Sequence, residues 1–554
     1  MKKLIVLLGL MVSTLSTMAI PAKPGQWRLL TLADGTQVEA ELRGDEFCHF
    51  WTTTTGACYV ESSIDDVYEL TDKATIAQKA FLRRQMHDGP NHTRADVGMQ
   101  REPIIGKKKG LVIMVEFKNK TFAENHTWAL FNDILNKVGF SSDEGFKGSV
   151  KDYFLSQSKG LFELDFDLVG PLTMPNTYGY YGANTKNDDT NPGQMIATAC
   201  EMADEYVDFK DYDWDGDGEV DQVFVIYAGL GEAAGGDKNT IWPHEWKLEY
   251  SDYGKVLTLD GVNINTYACG PELTNRGSAR NPKIGLEGIG TICHEFTHCL
   301  GIPDMYDTSY VNYGMSYWDL MASGSYNGSS FSPACFTSFE RMFCGWQQPI
   351  VLNKDTTVSN MKALSDDGDA FIIYNDSEPN EFYMLENRQL TGWDAGLPGN
   401  GLLVIHVYYD ELVWKYNFVN NTTIYPEYNK FQRCTIIPAD NSFGKDDVKT
   451  DVYPYKDKDS LTNTSLPRAE LYALNADGIH YTSKPVTKIR QENGIVSFVF
   501  ENRLKNKSAG VQTIEYTAGD NRQPLYDLSG RRVNGDARPL RKGIYISNGR
   551  KVTY

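Results

Sequence analysis

Residues 291–308 read TICHEFTHCLGIPDMYDT, with His294 and His298 four positions apart. On a helix that spacing sends both imidazoles out of one face, about one turn from each other. Two imidazoles so placed can share one zinc ion at about 2.0–2.1 Å each. Glu295 falls beside such an ion, where a carboxylate can take a proton from an attacking water and hand it to a leaving amine. Gly301 comes three residues after His298, where the helix has to stop and a left-handed residue serves. Asp304, three further on, lets the returning chain offer an oxygen as third ligand. The bland use of the pattern is a buried helix with hydrogen-bonded core histidines; the added Gly301 and Asp304 argue against coincidence.

Downstream, Tyr317-Trp-Asp-Leu-Met321-Ala-Ser-Gly324 places a methionine in a polar turn closed by glycine. Such a methionine beneath the metal is the second mark of one class of zinc peptidase. Two carboxylates compete with Asp304 for the third position. Glu340 lies in a later helical run, and Asp307 is closer but poorly spaced.

Further motifs follow a fixed order: Gly148-Ser-Val-Lys-Asp-Tyr-Phe154, DYDWDGDGEVD at 211–221, IYAGLGEAAGG at 226–236, Ile241-Trp-Pro-His244, Leu385-Glu-Asn-Arg388 and Gly401-Leu-Leu-Val-Ile-His406. Together with the histidine stretch they make the chain resemble the immune-inhibitor-A-like metallopeptidases, family M6, over roughly residues 105–505. The resemblance implies a secreted zinc endopeptidase of metzincin type acting on protein and peptide substrates. It implies His294, His298 and Asp304 as zinc ligands and Glu295 as the catalytic base. Many members of the wider clan carry a tyrosine two residues after the turn methionine. Here that position is Ser323, with Tyr317 and Tyr326 nearby, so the partner of the oxyanion stays open among them.

Asp213, Asp215, Asp217 and Asp221 alternate oxygen donors around Gly218, as a tight calcium loop does. The loop departs from a full EF-hand because position twelve is Phe224. Bound calcium is expected, with a purely structural aspartate-rich turn as the alternative.

The chain has 554 residues, enough for two to four domains. Its formal charge of −19 argues against nucleic acid as a partner. Lys2-Lys3, the apolar run 4–12 and Thr17-Met-Ala19 form an export signal over 1–19, with Ala22 as an alternative cleavage point. No later run of about 20 apolar residues would span a membrane. The chain is expected outside the cell or at its surface, as a monomer. Nine cysteines predict mostly buried thiols with one or two disulfides.

Residues 20–109 have hairpin signals around Asp34-Gly35 and Gly56, then a helical run at 75–86, and resemble a propeptide. Lys107-Lys108-Lys109 is a candidate processing run, and Asp45, Cys48 and His49 are candidates to hold the zymogen inactive at the zinc. The catalytic domain is expected over 110–348, opening with the apolar strand Gly110–Phe117. The strand Gln222–Ala228, or its neighbour, is the candidate to pair with extended substrate, and His244 is a candidate partner for substrate. Short alternating runs over 349–505 predict a β-sandwich, in whose loops Trp393 and Trp414 either grip a glycan or, the more frequent use, pack in the core. Two strand–turn–strand blocks over 506–554 resemble the sorting tails of type IX secretion. The expected architecture is thus an α/β (α+β) zincin/metzincin-like catalytic domain with a β-hairpin-rich propeptide and a C-terminal β-sandwich. Two other functions fit the same residues: a non-catalytic surface adhesin that keeps a metal site, and a zinc exopeptidase.

Overall fold

The computed structural model describes residues 18–45, 48–86, 103–184, 189–277, 281–312, 314–423, 429–444 and 447–506, with four short strands beyond. The body of the predicted export signal, residues 1–17, lies outside the described residues, as does most of the tail. The chain divides into a unit ending at Asn502 and a second from Arg503 to Tyr554.

A two-residue strand β1 (Met18–Ala19) precedes five strands: β2 (Trp27–Leu32), β3 (Gln37–Gly44), β4 (His49–Thr52), β5 (Cys58–Glu61) and β6 (Val67–Thr71). The predicted hairpin about Gly35 joins β2 to β3, and Gly35 takes φ +82°. Parallel pairing of β2 with β6 closes the five into a barrel. Leu30, Ala40, Tyr59 and Tyr68 fill it, while Ile76 and Ala80 of the following helix, Lys73–Met86, pack on Phe50 and Val60.

The central sheet is built on β7 (Gly106–Glu116), flanked in parallel by β8 (Phe162–Thr173) and β9 (Val223–Leu230). Beyond β9 come β10 (His244–Lys247), the hairpin β11 (Leu257–Leu259) and β12 (Val262–Ile264), then β13 (Thr266–Asn275) and β14 (Ile284–Leu286). The order across the sheet is β1-β10-β13-β9-β7-β8, with β10 antiparallel to β13. Leu111 to Val115 are all fully buried because both faces of the sheet are covered. Val112 and Met114 face a core that includes helix Val150–Gln157 and helix Gly290–His298. Leu111, Ile113 and Val115 face helix Pro192–Ala203. Strand β9 therefore sits inside the sheet, between β13 and β7, while β10 lies between β13 and the short β1. A long apolar run marks a strand buried on both faces, which is the opposite of an edge.

The Lys107–Lys109 run lies within β7, paired to β8, and not in a linker, with the Lys107 and Lys109 side chains exposed. Lys107 binds Glu163 at 3.1 Å, and Lys109 reaches Asp167 at 3.1 Å and Asp211 at 2.9 Å.

After helix Ser338–Phe343 come β15 (Ile350–Val351), β16 (Thr356–Met361), β17 (Phe371–Tyr374), β18 (Glu381–Arg388), β19 (Gly401–Tyr408), β20 (Cys434–Ile436), β21 (Val486–Glu492) and β22 (Ile495–Phe500). They form a five-stranded sheet, β15-β17-β18-β19-β20, and a three-stranded one, β16-β22-β21. Phe371, Tyr383, Leu385 and Val404 meet Val358, Val496 and Phe498 of the smaller sheet. The alternate residues Phe382, Met384, Leu403 and Ile405 turn to the core of the central sheet's helices. Trp393 and Trp414 are 8% and 0% exposed, so they are core residues and not a glycan platform. All nine cysteines are buried thiols with no disulfide among them, because each fills a packed apolar site.

The second unit pairs β23 (Leu525–Tyr526), β24 (Arg532–Val533), β25 (Ile544–Ser547) and β26 (Arg550–Thr553) in the order β24-β23-β25-β26. Its two hairpins coincide with the two blocks read from the sequence.

Candidate active site

Helix Gly290–His298 runs through the core with every residue buried. It ends where predicted: Gly301 takes φ +78°, and its N–H donates to the His298 carbonyl at 2.7 Å. That turn swings the chain back, so Asp304 faces the helix it has just left. Nε2 of His294 and Nε2 of His298 stand 3.2 Å apart. Asp304 Oδ1 is 3.3 Å from the first and 3.7 Å from the second. Donors about 2.05 Å from a shared centre at tetrahedral angles stand about 3.3 Å apart, so the set matches a zinc site. The Nδ1–H groups are committed elsewhere: His294 donates to the Leu320 carbonyl at 3.0 Å and His298 to the Ile302 carbonyl at 2.8 Å. Both Nε2 lone pairs thereby face the shared space. Leu320 precedes the fully buried Met321, whose carbonyl accepts from the Met305 N–H at 2.7 Å. The turn methionine segment thus holds both the first histidine and the loop carrying Asp304.

Asp304 Oδ1 and both Glu295 oxygens are buried without a hydrogen-bond partner. Orphaned buried oxygens are costly, and a dication among them removes the cost. Burial, then the Glu245 and Asp304 carboxylates, push Glu295 well above the usual carboxylate range. His294, Glu295 and His298 form a compact buried metal-binding group.

The rivals for the third position are engaged elsewhere. Glu340 caps its own helix, accepting from Thr337 N–H at 2.6 Å. Asp307 accepts from Ser309 N–H at 2.9 Å and from Val311 and Asn312 N–H at 2.8 Å each. Of the N-terminal candidates, Cys48 packs between the barrel and the helix that follows it, His49 stacks on Trp242 at 5.0 Å, and Asp45 accepts from Tyr306 Oη at 3.4 Å. His244 is a structural residue: Nδ1–H donates to the Trp242 carbonyl at 2.6 Å, and Nε2 accepts from Tyr267 Oη at 3.0 Å.

Asn417 carries no sequence signal and is central here. Its amide donates to Asp304 Oδ2 at 2.7 Å, and its carbonyl oxygen accepts from the Asp304 N–H at 2.9 Å. Arg388 props the turn methionine segment, donating to the Trp318 carbonyl at 3.0 Å while paired with Asp394 at 2.7 Å and Glu386 at 2.9 Å. Of the two tyrosines left open, Tyr326 feels the charge of Glu295. Burial, then the Glu287 and Glu295 carboxylates, push its phenol well above 10 and keep the proton on oxygen.

In the aspartate loop, Asp213 accepts from Gly216 N–H at 2.7 Å and Gly218 N–H at 3.0 Å. Asp213, Asp215 and Asp217 gather as a second, more exposed group able to hold a cation. Asp221 is buried and accepts from Trp214 N–H at 2.6 Å.

Residues 105–348 match the family described as immune inhibitor A peptidase M6, catalytic domain. The chain is 27% identical over 320 residues to immune inhibitor A of Bacillus thuringiensis subsp. alesti, covering 50% of this chain and 45% of that protein. It is 27% identical over 322 residues to the pre-pro-metalloprotease PrtV of Vibrio cholerae serotype O1, covering 49% of this chain and 33% of that one. The chain therefore spans less than half the length of these curated relatives. With the buried His–Glu–His group at its centre, the segment 105–348 is similar to the catalytic domain of the M6 metallopeptidase family.

Proposed function

We propose that the chain is an exported zinc endopeptidase that cleaves extracellular proteins. The observation that carries this reading is the convergence of His294, His298 and Asp304 on one point, with Glu295's unpaired oxygens beside it. His294, His298 and Asp304 are the zinc ligands. When bound, zinc supplies Lewis acidity to the attacking water and the scissile carbonyl. Glu295 takes the water proton and passes it to the leaving amine. Tyr326 donates its hydroxyl to the carbonyl oxygen as charge develops there. Asn417 and the Leu320 and Ile302 carbonyls hold the ligands in orientation. Strand β10 offers backbone pairing to an extended chain, which suits cleavage within a polypeptide.

The aspartate group at 213, 215 and 217 with Asp221 binds calcium, and the C-terminal hairpin unit serves as a type IX sorting tail. No helix among the described residues is long and apolar enough to cross a membrane.

The test is zinc content with casein cleavage, for wild type and Glu295→Gln. One zinc per chain in both proteins is expected, with cleavage at least about 10²-fold slower in the variant. Wild-type cleavage by the variant would refute the role of Glu295, and zinc binding without cleavage by the processed wild type would favour a binding protein.

A further inference from the structure

The N-terminal segment lies extended against β10 and Tyr326. Met18 and Ala19 pair antiparallel with β10, opposite Glu245 and His244. Tyr326 Oη then donates to the Pro21 carbonyl at 2.6 Å, and the Lys23 N–H donates to the Ala233 carbonyl at 3.0 Å. Ile20 and Ala22 are buried along the way. One carbonyl of this segment is thus held by the hydroxyl assigned above to a substrate carbonyl.

The Lys23 side chain is buried between β13 and Tyr326. Its Nζ donates to Thr274 Oγ1 at 2.7 Å and stands 5.8 Å from the centre of the Tyr326 ring. Lys23 is 6% exposed, Thr274 0% and Glu287 9%. A buried ammonium needs compensation. Burial works against its charge; Glu287 opposes that loss and Arg276 adds to it. Arg276 is itself engaged by Glu144 at 2.9 Å and by the Leu286 carbonyl. Every group that receives the lysine belongs to the catalytic segment, not to the barrel that follows it. Glu287 also lines an apolar cavity with Ile134, Pro271, Thr291 and Ile292, where the metal helix begins.

We propose that Glu287, Thr274 and the face of Tyr326 form a subsite for a basic side chain, occupied here by Lys23. The enzyme accordingly selects lysine or arginine two residues beyond the carbonyl that Tyr326 holds. This rests on the peptidase reading above, and deepens it by naming the substrate class: polypeptides with exposed basic residues.

The test uses the full chain in its processed, zinc-loaded form and matched peptides differing by lysine or norleucine at one position. Wild type should prefer lysine in kcat/KM by about 10-fold or more at one position. Glu287→Gln should lower that ratio at least about 5-fold. The hexapeptide Ile-Pro-Ala-Lys-Pro-Gly should inhibit wild type, and its norleucine form should be about 10-fold weaker, a comparison that needs no variant to fold. Equal rates for the two substrates, or equal inhibition by the two hexapeptides, would overturn the subsite. Failure to cleave casein and every peptide would overturn the peptidase reading instead.

Discussion

Asn417 is the sharpest test of how the third ligand is held. It sits at φ +54°, a left-handed conformation in which a bulkier residue would add backbone strain. Asn417→Gly removes the side chain and keeps the backbone. The change deletes the 2.7 Å bond to Asp304 Oδ2 and the 2.9 Å bond from its N–H, at a residue only 1% exposed. Losing such an orienting partner lowers metal affinity about 10–100-fold. That corresponds to about 1.4–2.8 kcal/mol. In the metal-free protein each buried group left unpaired costs about 1–3 kcal/mol, so stability falls as well. Zinc affinity is read by competition with a chromophoric chelator, and stability by urea unfolding of both proteins without metal. Zinc affinity within about 3-fold of wild type would refute the argument, because an Asp304 that binds without this clamp is not positioned by it.

Tyr326→Phe keeps the aromatic face and removes the hydroxyl, so kcat should fall about 10²-fold with little change in KM; an unchanged kcat removes Tyr326 from the reaction. Calcium at about 100 times its dissociation constant should stabilise the chain by about 2.7 kcal/mol, and Asp215→Asn should abolish the effect; equal melting with and without calcium would leave only a structural turn. Burial, opposed by a hydrogen bond to the Trp242 carbonyl, pulls His244 from 6.5 to about 4. The unfolded chain then binds a proton that the folded one refuses, so stability is intact above about pH 6.5 and declines towards pH 4, by about 3 kcal/mol from this group. Urea unfolding across that window should show a shallower pH slope for His244→Gln, and identical slopes would refute the assignment.

The metal site was readable because HExxHxxGxxD puts two imidazoles, a base, a turn and a carboxylate within eleven consecutive residues. Local helix geometry and one left-handed glycine do the rest. Asn417 was not readable, since it lies 113 positions from its partner and only the packing of the later sheet brings it there. The hairpins of the N-terminal segment followed from turn residues, whereas barrel closure depends on the non-local pairing of β2 with β6. The interior place of β9 was legible in its apolar run, since apolarity marks the middle of a covered sheet. The cysteines misled: export suggests disulfides, but a buried thiol packs as a small apolar group.

The match to the catalytic-domain model ends at residue 348, yet the first compact unit runs on to Asn502. All eight residues of β18 are buried, and Phe382 and Met384 pack in the core that holds the helices of the catalytic segment. A polypeptide ending at 348 would lose Arg388 from the turn methionine segment and Asn417 from Asp304, and would expose an apolar flank with nothing to cover it. The stretch matched by the catalytic-domain model is therefore smaller than the stretch that packs as one unit. Exchanging this catalytic segment between proteins would have to carry the later sheet along, or supply another surface of the same shape.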